Sequence, residues 1–351
     1  MMVPHYRPSF SEKELKAVQT VIASGYIAQN GQVLQLESVL SGFVGKKFGI
    51  AVSSGTSALI LALKALQIKP GDEVIIPSYT CSALWHAVKA VNAVPIFADI
   101  ETESYNLDSA DVKNRISHKT KAVIFPHMFG QPGYIQEVVS LGIPLIEDIA
   151  QAIGATINNR PVGSFGAISI VSFYATKVIG AGEGGMLFTD EPAADSYLRD
   201  LREYDEKDNL IPRMNAKMSD LTAAIALSQF KKLPEFTEIR RRILEEYKNI
   251  LGEYMILPAQ NPNLRSNLFR CVAIHPDHNA DQLIQTAKAE EVNVRKPVFK
   301  PLHSYLPGIT LKNTEDAWQK QISIPLFPDL NASEIETVLN FLQKIMGNHN
   351  D

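Results

Sequence analysis

The chain has 351 residues and only two cysteines, Cys81 and Cys271, which form no metal-type cluster and imply a reduced compartment. It has no excess of either charge. The formal net charge is −4 and the lysines and arginines are scattered, which leaves no electrostatic footprint for nucleic acid. No stretch approaches 18 uninterrupted apolar residues, and Met1 to Phe10 lacks the apolar core of a signal peptide, so a soluble cytoplasmic protein is expected. Internal repeats and low-complexity linkers are also lacking. Apolar residues at 45% and charged residues at 21% are ordinary globular values, so disorder is not expected. A chain of this length buries a sizeable core; the expectation is a large domain over 1–235 and a smaller α/β domain over 236–351.

Ser11-Glu12-Lys13-Glu14 has the form of a capping box, with Leu15, Val18 and Ile22 following at helical spacing. Short apolar runs then alternate with helical patterns. The strand candidates are Val74 to Pro77, Val94 to Phe97, Ala122 to Phe125, Pro144 to Ile146 and Ala167 to Val171. Their hydrophobicity is continuous rather than alternating, which implies an α/β fold with a largely parallel sheet covered by helices on both faces. Nearly every run ends on a polar residue: Ser78, Asp99, His127, Asp148 and Ser172. In open α/β sheets ligands bind beyond the carboxyl ends of the strands, so these residues are expected to face one crevice. After Met218 come an apolar helix over Leu221 to Phe230 and a long charged one from Pro234 to Tyr247. In that second helix Arg240-Arg241-Arg242 reads as a solvated face. Asn331 caps a final amphipathic helix, and Trp85 and His86 belong to a helix beside the crevice.

One constellation carries chemistry. Ser172-Phe173-Tyr174-Ala175-Thr176-Lys177 runs into the glycine-rich Gly180 to Gly185, and Asp148 with Gln151 stands upstream at another strand end. An amine, a buried carboxylate and a serine at strand ends are what a pyridoxal phosphate enzyme requires. The amine bonds the cofactor, the carboxylate pairs with the pyridine nitrogen, and hydroxyl groups hold the phosphate. Each residue also has a plainer reading. Lys177 alone could be a surface lysine and Asp148 a helix cap. Gly55-Thr56-Ser57 is either an anion site at a helix start or a simple cap. His127 is either a satisfied structural residue or a group facing the substrate. Their order and spacing together favour the functional set.

Taken together the motifs resemble those of the DegT-type, fold-type I pyridoxal phosphate aminotransferases, which aminate keto-sugars on nucleotide carriers. The resemblance runs the length of the chain. It begins at Ser54-Gly55-Thr56-Ser57-Ala58 and Gly71 to Thr80, then passes through Glu147-Asp148-Ile149-Ala150-Gln151-Ala152, Ser172 to Lys177 and Gly182-Glu183-Gly184-Gly185. It ends at Asn215, Pro301-Leu302-His303 and Ile322 to Leu326. It implies that Lys177 bonds the cofactor, that Asp148 pairs with its ring nitrogen and that Gln151 neighbours the ring hydroxyl. Gly55, Thr56, Ser57 and Ser172 would surround the phosphate, and Asn215 would reach the same phosphate across a homodimer interface. Glu183, His303 and Tyr305 fall where the family contacts its sugar nucleotide, and Tyr79, His127 and Lys217 join them as candidate substrate contacts. Three positions depart from the family pattern. Cys81 stands where a ring-stacking aromatic is frequent, leaving that contact to Tyr79 or another group. The loop after Lys177 is about one residue short, with Ala175 where Pro or Thr is common. Lys217 replaces a frequent arginine and loses its bidentate fork.

The expected activity is amination of a keto-sugar, with glutamate as donor, in a homodimer with shared sites and without nucleic acid, membrane or metal. A sugar or cyclitol dehydratase variant, and a regulator that binds cofactor or sugar without turnover, are the alternatives.

Overall fold

The structure is a computed structural model, and it describes residues 2–259 and 261–347. Helices Glu12–Ser24 (α1) and Gly31–Val44 (α2) precede strand Phe48–Val52 (β1) and helix Gly55–Ala65 (α3). Next come Glu73–Pro77 (β2), Ala83–Ala90 (α4), Val94–Ala98 (β3), Ser109–Arg115 (α5), Thr120–Pro126 (β4), Ile135–Val139 (α6) and Leu145–Asp148 (β5). A short pair, Thr156–Ile157 (β6) and Arg160–Pro161 (β7), leads to Ile168–Ser172 (β8) and Gly185–Thr189 (β9). The order of the seven-stranded sheet is β1-β9-β8-β5-β4-β2-β3, and β9 runs antiparallel to both its neighbours while the pairs from β8 to β3 are parallel.

All five sequence-predicted strands are present, and the reason for their continuous hydrophobicity is visible. Along β2, Ile75 enters one apolar cluster while Val74 and Ile76 enter another; along β4, Val123 and Phe125 separate from Ala122 and Ile124 in the same way. Side chains alternate across a strand, so a sheet covered on both faces needs apolar residues at every position. One face is covered by α2 and by Asp220–Lys231 (α8); the other is covered by α3, α4 and Pro192–Leu201 (α7). The capping box at Ser11 forms as expected, with Glu14 returning to the Ser11 amide at 2.8 Å.

A further core gathers Leu233–Leu251 (α9), Cys271–Ala273 (β12), Ala280–Ala289 (α10), Ile322–Ile324 (β13) and Ala332–Gly347 (α12). Met255–Leu257 (β10) completes its three-stranded sheet, Leu264–Arg265 (β11) pairs with β6, and Lys312–Lys320 (α11) precedes β13. Val3 belongs to this core, its backbone bonded to Glu291 and Asn293 at 2.8 and 3.0 Å, so the chain start is built into the C-terminal unit. The reading of Arg240 as solvated is corrected. In α9, Phe236, Arg240, Ile243, Leu244 and Tyr247 share the buried face, and Arg240 is only 1% exposed. Arg242 is exposed, so the triplet divides across the helix as its 3.6-residue period requires.

Candidate active site

Because β4, β5 and β8 are parallel, their carboxyl ends are level: Pro126 lies opposite Asp148, and Asp148 opposite Ile170. Glu147 and Asp148 are neighbours on β5 and therefore project to opposite faces. Glu147 is fully buried. It accepts hydrogen bonds from the amides of Gly163, Phe165 and Gly166 at 2.5, 2.8 and 2.8 Å and pairs with His127 Nε2 at 3.1 Å. Burial opposes its charge, but His127 and these amides hold its carboxyl below the ordinary value. Asp148 keeps a free side. One oxygen accepts the Ala150 amide at 2.8 Å, and among the described residues no cation lies within ion-pair distance. Burial raises its pKa against the Ala150 bond and the more distant charges of Lys177 and His127.

Lys177 lies in the turn after β8, its amide bonded to the Tyr174 carbonyl at 2.8 Å and its carbonyl 3.4 Å from the Tyr6 hydroxyl. The amine has no carboxylate within ion-pair reach among the described residues; it lies 5.9 Å from the centroid of the buried Phe269 ring. Burial draws its pKa below the ordinary lysine value, while Cys81 and Asp148 pull it back up. Cys81, exposed just beyond β2, is thus placed within electrostatic reach of the amine.

The third part is the start of α3. Ser54 is the N-cap, accepting the Ser57 amide at 3.0 Å, and Ser57 Oγ lies 2.9 Å from Ser54 Oγ. Amides of the first turn have no partner inside a helix, so this end is suited to an anion. Gly55 is required here: a Cβ on it would lie 2.8 Å from Ser172 Cβ. The missing side chain lets the helix start close on Ser172 at the end of β8. Across the sheet, Gly185 allows the same close approach to the Ser54 backbone. The structure therefore brings Gly55, Thr56, Ser57, Ser172, Asp148, Lys177 and Cys81 to the carboxyl ends of β1, β2, β5 and β8.

Other expected site residues are used differently. His127 is corrected from a substrate contact to an internal one: Nδ1 accepts the Gly133 amide at 3.1 Å, Nε2 faces Glu147, and the ring is fully buried. Tyr79 neither stacks nor meets a substrate. Its side chain is turned into the core, edge-on to Phe129, and the hydroxyl donates to Gln321 at 2.9 Å. His303 is 3% exposed; its amide and Nδ1 lie 3.0 and 2.6 Å from Ser78 Oγ, and Nε2 lies 3.2 Å from Glu315, so it ties the chain to the end of β2. Lys217 is held by Asp205 at 2.9 Å, a bond that raises its pKa. Gln151 accepts the Phe129 amide at 2.7 Å, which fixes the left-handed Phe129. Glu183 lies exposed in the glycine loop, and Asn215 is exposed with no side-chain hydrogen bond among the described residues. Tyr305 is exposed and lines an apolar hollow of about 350 Å³ with Trp85, His86 and Leu302.

Sequence reasoning missed Tyr6, Asn267, Phe269 and Arg270. Asn267 donates to the carbonyls of Gln151 and Ile153 at 2.9 and 3.0 Å, joining the turn after Asp148 to the segment that carries Phe269 and Arg270. The one signal for Arg270 was an arginine directly before the apolar Cys271-Val272-Ala273.

The fit to pyridoxal phosphate can be judged from these groups. A buried carboxylate without a cation suits a protonated pyridine nitrogen, an unpaired amine suits a carbonyl carbon, and a helix start closed on a serine suits a phosphate. All three are present.

The match to known proteins agrees. Residues 8–343 match the model of the DegT/DnrJ/EryC1/StrS aminotransferase family. The chain is 31% identical over 372 residues to a GDP-perosamine synthase of Vibrio cholerae, covering 97% of this chain and 98% of that protein. Among solved structures, the aminotransferase TlmJ of Streptoalloteichus hindustanus superposes with a TM-score of 0.93 at 26% identity, over the whole of both chains. The PLP form of the putative sugar aminotransferase Spr1654 of Streptococcus pneumoniae shares the fold, with a TM-score of 0.91 at 21% identity over 99% of each chain. The chain belongs to the DegT/DnrJ/EryC1/StrS aminotransferase family and is a pyridoxal phosphate enzyme of that family.

Proposed function

We propose that this enzyme transfers the amino group of glutamate to a keto-sugar carried on a nucleotide, giving an amino-sugar. The observation that carries the reading is the pairing of an uncompensated Lys177 amine with the cation-free Asp148 at adjacent strand ends. The likeness to GDP-perosamine synthase supports a nucleotide-linked substrate. When bound, the cofactor supplies an electron-withdrawing ring that makes the hydrogen on the donor's α-carbon acidic. Asp148 holds a proton on the ring nitrogen by supplying the negative charge it needs. Lys177, once released, takes the α-proton at Nζ; burial favours the neutral amine this requires. The first turn of α3, with Ser57 and Ser172, anchors the phosphate, and Glu183 in the exposed loop meets the sugar.

Glutamate alone, mixed with the holoenzyme, is expected to bleach the visible absorbance and release one 2-oxoglutarate per site. Lys177→Ala removes both the tether and the proton carrier, and the rate falls by at least ~10²–10⁴-fold. Near-normal turnover in that variant refutes the assignment. If no amino donor bleaches the enzyme but a hydroxylated sugar does, the activity is dehydration.

A further inference from the structure

Two arginines, Arg240 and Arg270, lie within electrostatic reach of one another, and among the described residues neither is ion-paired to a carboxylate. Arg240 is buried on α9; among the described residues its Nε has no hydrogen-bond partner, and its side chain's hydrogen bond is from Nη1 to the Phe236 carbonyl at 3.4 Å. Arg270, at the start of β12, has its guanidinium 4.6 Å from the Phe269 centroid, on the ring that the Lys177 amine approaches at 5.9 Å. Since both distances are measured to one point, the two cationic centres are at most 10.5 Å apart (4.6 + 5.9). Burial pulls both arginines down to about 10, and both remain charged at neutral pH.

Arg270 has donors to spare. Nη1 bonds His5 Nε2 at 2.9 Å, and no other side chain among the described residues meets the guanidinium through a hydrogen bond. His5 is held neutral, first by burial and then by Arg270 and Arg295. Arg270 also lines a cleft of about 670 Å³ with His5, Asp281, Arg295, Lys296 and Trp318. The acid in that lining, Asp281, is occupied by Lys296 at 3.0 Å, and the hydrogen bond that the Arg295 side chain makes among the described residues is to the neutral Asn293. The cleft therefore carries an uncompensated positive charge.

A buried charge without a partner is costly, and a guanidinium fork matches a carboxylate in two hydrogen bonds. The phosphate end of the cofactor site lies elsewhere, at α3 and Ser172, so Arg270 is left for another anion. We propose that Arg270, oriented by His5, binds a carboxylate of the amino donor and selects for an amino dicarboxylate. This rests on the aminotransferase reading above. It names a residue that none of the sequence motifs contains.

Glutarate, which has the two carboxylates of glutamate and no amine, separates this binding from turnover. Calorimetric titration of the holoenzyme with glutarate is expected to show binding that Arg270→Gln weakens about 10- to 100-fold, as loss of a charge-assisted pair implies. Arg270→Lys keeps the charge, loses the fork and falls between the two. Glutamate concentration dependence in the bleaching reaction shifts by the same factors, while the second half-reaction, run with the keto-sugar, is unchanged. Unaltered glutarate binding in both variants, no glutarate binding by the wild type, or a loss confined to the keto-sugar half overturns the proposal; in that last case the anion is the sugar's phosphate. If the wild type binds glutarate through Arg270 but is not bleached by glutamate, the carboxylate site stands and the choice of donor fails.

Discussion

Asp148 shows at the scale of one residue how function and stability oppose each other. Burial raises its pKa above that of the unfolded chain, so the folded cofactor-free protein holds this proton more tightly. The carboxyl therefore favours folding below the ordinary aspartate pKa, and that contribution is lost as the pH rises through the folded value. Asp148→Asn removes a buried charge while keeping the acceptor for the Ala150 amide. The cofactor-free variant is expected to melt a few degrees higher than the wild type at pH 8 and to differ little at pH 4. The holoenzyme variant loses on the order of 10²–10³ in rate, as removal of a preorganised charge does. A melting temperature lower at pH 8 than at pH 4, relative to wild type, contradicts the assigned cause. Sequence singled out Asp148 and Ser172 because each closes an apolar run, and Lys177 because it stands between that strand end and a glycine-rich loop. The same rule promoted Ser78, Asp99 and His127, which tertiary contacts occupy: Ser78 with His303, Asp99 with the start of α11, and His127 with Glu147.

At the scale of elements, α1 is joined to α8 by one ion pair. Lys232, just after α8, reaches Glu14 of α1 at 2.8 Å, and both side chains are under 10% exposed. Burial alone would raise the Glu14 pKa, but Lys232, Ser228 and Ser11 bring it to about 2. A depressed carboxyl stabilises the fold above its unfolded value and loses that contribution as the pH falls towards 2. Lys232→Met leaves the carboxylate unpaired and is expected to cost about 2 kcal/mol at pH 7, less than a fully interior pair because water reaches its edge. Urea midpoints should separate at pH 7 and draw together as the pH falls towards 2; a separation that does not shrink would refer the loss to packing. Helix boundaries were legible in the sequence at Ser11 and Asn331, where caps are local. The buried face of α9 was not, since an arginine on that face reads as solvent-facing until its neighbours are known.

For the whole molecule, the question is whether one chain completes a site. Asn215 is exposed on the segment beside Ser53, whose amide bonds the Ala216 carbonyl at 2.8 Å. We propose that Asn215 serves the phosphate of a partner chain in a two-fold dimer, where each chain lends the same residues. Mixing inactive Lys177→Ala chains with inactive Asn215→Ala chains tests this. In a heterodimer one pocket receives both defects and the other neither, so about a quarter of wild-type activity is expected if chains pair at random in equal amounts. If Asn215 serves its own chain, every pocket keeps a defect and mixing restores nothing.

The sequence by itself determined the layered α/β architecture and the order of the catalytic motifs. Both are local properties: a doubly covered strand must be apolar at each position, and a helix start or strand end carries its own polar residue. What only the tertiary structure decided is which polar residues remain free for a ligand. Tyr79, His127 and His303 were indistinguishable in sequence from site residues, and Arg240 and Arg270 from surface charges. For Tyr79, His303 and Arg270 the difference lies in partners more than two hundred residues away, Gln321, Ser78 and His5; for His127 it lies in Glu147 and Gly133, nearer in sequence but brought to the ring by the fold. A side chain's role follows from the hydrogen bonds and charges left unsatisfied once the core has closed, and that balance exists only in three dimensions.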